Sequence, residues 1–185
     1  MNIILIGYRC CGKTTVGRIL GQALGREFID TDRILEARGG ISIHSYVSRN
    51  GWGNLRELEK EIVKEVTAKD NRVIATGGGV VIDQENVRNL RKNGWIVWLD
   101  TEAPVIRDRM QKAEESGELR PPLSGVDPME ETDRILRDRI PYYESASDHI
   151  VDANRPSPEA VAREILMAFQ RTYDGDDREG CRDAG

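Results

Sequence analysis

Residues 7 to 14 read Gly-Tyr-Arg-Cys-Cys-Gly-Lys-Thr, directly after the apolar run Ile3-Ile4-Leu5-Ile6. This is the spacing G-x-x-x-x-G-K-[ST], set between a short buried strand and a helix. Gly7 and Gly12 let the backbone curl until successive N–H groups point inward at phosphate oxygens. Lys13 can reach the β- and γ-phosphates, and the Thr14 hydroxyl can sit on Mg2+. The helix expected from Lys13 to about Leu24 aims its positive end at the same anion. The pattern therefore implies a P-loop that binds a nucleoside triphosphate. A glycine-rich turn without a ligand is the plainer alternative.

A chain of 185 residues suits one α/β domain with a sizeable core. Its net charge of −5 speaks against a general nucleic-acid surface, so an anionic ligand must be met by local arginines. No apolar run approaches the length of a membrane span, and no signal peptide precedes the first strand. With three cysteines, two of them adjacent at Cys10 and Cys11, a disulfide framework is not expected and a reducing cytoplasm fits. Cys10 and Cys11 read as small P-loop residues, with a redox role as the alternative. His44 and His149 have no cysteine partners at zinc-ligand spacing.

Short buried runs alternate with longer amphipathic ones, the pattern of a parallel sheet wrapped by helices. Strands are expected at Asn2–Ile6, Glu27–Asp30, Arg72–Thr76, Trp95–Leu99 and His149–Asp152. Helices are expected at Arg33–Arg38, Asn54–Ala68, Gln84–Lys92, Ala103–Glu115, Met129–Ser145 and Pro158–Arg171. The Gly- and Pro-rich stretch at about 115–128 reads as a mobile lid, and the polar segment 172–185 as a disordered tail. The P-loop domain then covers 1–171, with a helical insertion at about 32–68.

The second strand ends in Asp30-Thr31-Asp32, and strand C-termini line the ligand crevice of an open α/β sheet. One carboxylate can hold Mg2+ through water while the other takes a proton from an acceptor hydroxyl. The alternative makes Asp32 the N-cap of the following helix. The third strand runs into Gly77-Gly78-Gly79, which suits backbone lying close against a ligand, or a tight turn. Arg56 and Arg139 offer guanidinium forks to a carboxylate, although taken singly each reads more plainly as a solvated helix residue. Arg120, in the Pro-rich loop, can close over transferring phosphate.

Taken in order and spacing, these pieces resemble shikimate kinase from Asn2 to about Gln170. The matching segments are Gly7–Thr15, Asp30-Thr31-Asp32, Leu55-Arg56-Glu57-Leu58-Glu59, Gly77-Gly78-Gly79, Leu119-Arg120-Pro121-Pro122-Leu123, and Arg139 with Tyr143. The resemblance implies a P-loop fold with a five-stranded parallel sheet of order 2-3-1-4-5. It also implies transfer of the ATP γ-phosphate to the 3-hydroxyl of shikimate, in aromatic amino-acid biosynthesis, by a cytoplasmic monomer. By position, Lys13 would hold the transferring phosphate, Thr14 and Asp30 (through water) would serve Mg2+, and Asp32 would be the base. Arg9, Cys10, Cys11, Gly12, Lys13, Thr14 and Thr15 would cradle the nucleotide, with Arg109 and Arg155 on the adenine side and Arg120 on the lid. Arg56, Arg139 and Gly77, Gly78 and Gly79 would hold shikimate alongside Asp32.

Leu55 and Val47 depart from the family's usual aromatics, and Trp52 either restores that contact or packs the helical insertion. The lid reads Arg-Pro-Pro-Leu where Arg-Pro-Leu-Leu is commoner. Gluconate or nucleoside-monophosphate kinases share the P-loop but not the Asp-Thr-Asp, triple-glycine and paired-arginine set. A GTPase would need Asn-Lys-x-Asp, which is missing. A motor ATPase could use Asp100 at the end of Trp95–Leu99, although Thr101 stands where its catalytic Glu would be.

Overall fold

The run Asn2–Ile6 is buried at every position, as a strand covered on both faces by helices must be. A computed structural model describes residues 1–115, 128–155 and 157–179, with side chains described except at 114, 128–131 and 173–179. In it, Asn2–Ile6 forms β1 at the centre of a five-stranded sheet of order β2-β3-β1-β4-β5. The neighbours are β2 (Glu27–Asp30), β3 (Arg72–Ala75), β4 (Gly94–Asp100) and β5 (His149–Asp152), and all pairings are parallel. Ile4 lies opposite Ile74 and Ile96, while Ile3 lies opposite Val73 and Trp95.

That register sorts the core, because alternate side chains leave a strand on opposite faces. Ile4, Ile6, Ile74, Ile96 and Trp98 pack beneath α3 (Ile43–Thr67), α4 (Gln84–Lys92) and α6 (Pro128–Ala146). Ile3, Leu5, Val73, Trp95, Val97 and Leu99 pack beneath α1 (Lys13–Leu24) and α7 (Pro158–Glu179). Ile106 and Met110 of α5 (Ala103–Glu115) close a smaller cluster with Tyr8 and Leu136. Among the described residues, no helix is long and apolar enough to cross a membrane.

Three local outcomes differ from the sequence expectation. The short helix α2 spans Thr31–Gly39, and its N-cap is Asp30 rather than Asp32. Asp30 Oδ1 accepts from the backbone N–H groups of Asp32 and Arg33, at 3.1 and 3.4 Å. The strand therefore ends sooner than an extended Asp-Thr-Asp requires, and Asp32 lies in the first helical turn. Next, α3 begins at Ile43, not Asn54, capped by the Ser42 hydroxyl. Gly51, at φ 78°, breaks it into two helical pieces and masks the apolar period of the earlier one. Finally, α7 is longer than the expected Pro158–Arg171 and continues to Glu179; residues 180–185 of the expected tail lie outside the described residues. Arg120, expected to act as a lid arginine, lies outside the described residues, as does 116–127 of the expected lid.

Candidate active site

Gly7, at φ 138°, turns the chain out of β1. A Cβ there would stand 2.9 Å from the Leu99 carbonyl oxygen, so only glycine fits the turn. The loop passes Cys10 at φ 59° and enters α1 through Gly12 at φ 104°. Lys13 curls back over the loop, and its ammonium donates to the carbonyls of Gly7 and Tyr8 at 2.8 and 2.7 Å and to Cys11 Sγ at 3.4 Å. Cys11 is buried in the core and Cys10 is half-buried, and neither forms a disulfide among the described residues. Small size within the loop accounts for both.

The loop lines a cavity of about 470 Å3 that includes residues 9–16, Asp30, Asp32, Arg109 and Arg155. Arg109 ties its walls together, donating to the Cys11 carbonyl at 3.2 Å and the Ala153 carbonyl at 2.8 Å. Arg155 is held at the rim by Glu164 at 2.7 Å. Asp100, the alternative metal-binding aspartate, is not among the lining residues, whereas Asp30 is. The Thr14 hydroxyl donates to Asp30 Oδ2 at 2.7 Å. One hydroxyl and one carboxylate side by side fit Mg2+, which usually keeps several waters and takes its remaining oxygens from phosphate.

A second cavity, of about 160 Å3, opens on the other side of Asp32. Arg56 of α3 and Arg139 of α6 both reach it, with the triple glycine between them. A Cβ on Gly79 would stand 2.6 Å from an Arg56 guanidinium nitrogen, and one on Gly77 would stand 2.8 Å from Asp32 Oδ1. Close approach by side chains, not turn geometry, explains these glycines. Arg139 donates to the Gly78 carbonyl at 3.1 Å, as does the Tyr143 hydroxyl at 2.5 Å. Burial pushes the Tyr143 hydroxyl well above its ordinary range, so it stays a donor. Trp52 also lines this cavity, with the Arg56 guanidinium 5.4 Å from its ring centre. Trp52 directly follows the break at Gly51.

Glu59 has no role that the sequence alone suggests. It is 5% exposed and accepts from Arg56 at 2.7 Å, one helical turn away. Burial pushes its carboxyl up, with the Arg56 charge opposing. A raised carboxyl favours the protonated form in the folded state, so its ionisation costs stability. That cost appears as pH rises from the ordinary glutamate value of about 4.3 through the raised one. Glu59→Gln imitates the protonated form at every pH. Thermal unfolding should show wild type losing ground to this variant as pH rises across that window. A pH-independent difference would remove Glu59 from the titrating groups.

The two cavities adjoin, and among the described residues two line both of them: Asp32 and Arg9. A P-loop cavity therefore adjoins a second, arginine-rich cavity, with the Asp32 carboxylate in the lining of both. A family model described as shikimate kinase matches residues 9–170. The chain belongs to the shikimate kinase family. The curated shikimate kinase of Symbiobacterium thermophilum is 39% identical, over 92% of this chain and 97% of that one. The shikimate kinase of Thermodesulfovibrio yellowstonii is 37% identical, over 94% and 98%. Among solved structures, shikimate kinase from Acinetobacter baumannii in complex with shikimate superposes with a TM-score of 0.84. It is 30% identical and covers 92% of this chain and 93% of that one. Membership makes this chain a kinase and gives its P-loop a phosphoryl donor to hold.

Proposed function

We propose that this kinase transfers the γ-phosphate of ATP to the 3-hydroxyl of shikimate, giving shikimate 3-phosphate and ADP. The observation that carries the reading is the charge balance of the acceptor cavity. Its lining includes the guanidinium groups of Arg9, Arg56 and Arg139 against the carboxylates of Asp32 and Glu59. Guanidinium groups outnumber carboxylates there, which suits an anionic acceptor. The cavity is also small, which suits a single-ring acid.

ATP places its phosphates in the loop of residues 9–15, with Arg109 and Arg155 towards the base. Lys13 exchanges its carbonyl partners for phosphate oxygens. Thr14 and Asp30 (through water) would hold Mg2+, which would supply charge neutralisation on the phosphates. Arg56 and Arg139, with the Gly77–Gly79 backbone, fix the acid so that its hydroxyl faces Asp32. The hydroxyl oxygen bonds to the γ-phosphorus as the bond from phosphorus to the bridging ADP oxygen breaks. The hydroxyl proton passes to Asp32, and the leaving ADP oxygen keeps the electron pair. Arg120 keeps its assignment as the lid arginine. The enzyme is read as a cytoplasmic monomer with no nucleic-acid or membrane partner.

The test compares shikimate with its uncharged methyl ester. Arg139→Ala is the cleaner variant, because truncating Arg56 would also strand the buried Glu59. Loss of one arm of a desolvated charge pair costs about 2–5 kcal/mol. Arg139→Ala should therefore raise KM for shikimate steeply and leave KM for ATP unchanged. Wild type should discriminate strongly against the ester, and the variant much less. Equal turnover of acid and ester by wild type would remove the carboxylate clamp and the substrate with it.

A further inference from the structure

Arg9 is a loop position of the P-loop pattern, where any residue type is allowed. A nucleotide-binding role for it needs only its backbone. Its side chain does something different. It lines both cavities, which among the described residues only Asp32 also does. Its Nε and Nη2 are buried and have no hydrogen-bond partner among the described residues. Buried guanidinium donors without acceptors are costly, so the geometry asks for oxygens to complete it.

The side chain is also held in place. Its guanidinium carbon lies 5.9 Å from the centre of the Tyr8 ring, and that of Arg139 lies 5.8 Å from the same centre. Tyr8 is 2% exposed and cannot swing away. Both distances fall within the reach of a cation–π contact, about 6 Å. A rigid ring thus positions two cations, Arg139 at the acceptor's clamp and Arg9 at the junction. Behind them, the Arg9 backbone nitrogen lies so near Gly78 that a Cβ there would approach it to 3.2 Å. The P-loop and the triple glycine are therefore packed together at this point.

We propose that Arg9 meets the transferring phosphoryl group from the acceptor side and stabilises its charge as it crosses between the cavities. The inference rests on the proposed phosphoryl transfer to shikimate. Its logic is the pairing at the junction: Asp32 takes the proton, and Arg9 faces the oxygens of the group that replaces it. Nucleotide alone and acid alone each leave the junction incomplete. Only the state with the phosphoryl group in transit offers the guanidinium fork its full set of oxygens.

This predicts a particular pattern of losses. Arg9→Ala should lower kcat by about 10²–10³-fold, the usual cost of one donor to developing charge. KM for ATP and for shikimate should stay within about threefold, since groups that act in the transition state do not set ground-state binding. Arg9→Lys should recover part of kcat, because it keeps the charge and loses the fork. The decisive readout is calorimetric binding of three probes: Mg2+·ADP, shikimate, and Mg2+·ADP with aluminium fluoride and shikimate together. The variants should lose affinity for the third, which imitates the phosphoryl group in transit, and keep it for the first two. Equal loss for shikimate alone would make Arg9 a third carboxylate clamp and overturn the proposal. Equal loss for Mg2+·ADP would make it a plain nucleotide contact and overturn the proposal as well. Unchanged kcat and unchanged binding of all three probes would also sink it. Arg9→Met, which keeps bulk over Tyr8, carries the same readouts if Arg9→Ala unfolds. A wild type that bound all three probes as predicted but failed to turn over shikimate would count against the substrate assignment instead.

Discussion

Lys13→Ala should fold as wild type does and turn over at least about 10²–10³-fold more slowly, because one preorganised donor to developing phosphoryl charge is worth that much. The folded structure shows why the protein should survive the change. Lys13, which itself lines the nucleotide cavity, spends its ammonium on the buried carbonyls of Gly7 and Tyr8, and its removal opens that cavity to them. Water can take those acceptors when the side chain is gone, so no acceptor is sealed in the core. The same bonds describe the resting position of the lysine. Arriving phosphate oxygens offer a full negative charge in place of two neutral carbonyls, and charge-assisted bonds are roughly twice as strong. The exchange therefore favours the nucleotide-bound position. The checks are kcat, KM for ATP and the thermal midpoint measured on the same preparation. A wild-type kcat with an intact midpoint would show that this P-loop does not act on the transferring group.

Parts of this site are legible in the sequence for a simple reason: they are local. The P-loop needs only a strand, eight residues and a helix, and β1, its flanking strand, is continuously apolar from Ile3 to Ile6. β4 is legible on the same grounds, being buried at five consecutive positions from Trp95 to Leu99. The strand order rests on family resemblance, because apolar periodicity does not say which strand lies beside which. The N-cap is ambiguous in the sequence because capping depends on where β2 stops, and Asp30 and Asp32 are equally good capping residues. The first piece of α3 is hidden by Gly51, which reads as a breaker but here only redirects the helix. Glu59 escapes notice because its importance comes from burial beside Arg56, and burial is a tertiary property. Arg9 groups with the nucleotide in the sequence for the same reason, since the meeting of two cavities cannot be read along a chain.

Asp32→Asn should lower kcat by roughly 10²–10⁴-fold, the range for loss of a general base. The substitution keeps the side-chain shape and removes only the proton acceptor. Its structural risk is small because Asp30, not Asp32, caps α2. Capping by Asp30 therefore sharpens the experiment, as a loss of activity cannot be charged to an uncapped helix. The close approach of Gly77 to Asp32 matters in the same way. A Cβ on Gly77 would meet Asp32 Oδ1 at 2.8 Å and Glu59 Oε1 at 3.0 Å, so the glycine leaves both carboxylates their space. Asp32 thereby keeps its place in the lining of both cavities, where the proposed reaction brings the acceptor hydroxyl to the phosphoryl group. The size of the effect also reports the character of the transition state. A loose transition state has little oxygen–phosphorus bonding, so the hydroxyl proton is barely acidic when the phosphoryl group moves. Positioning would then be the main contribution of Asp32, and Asn, which also accepts a hydrogen bond, would retain most of it. A loss near the lower end of the range with unchanged KM for shikimate supports that case. A loss near the upper end supports proton removal in the rate-limiting step. Unchanged kcat would take Asp32 out of the chemistry and leave the junction without a base.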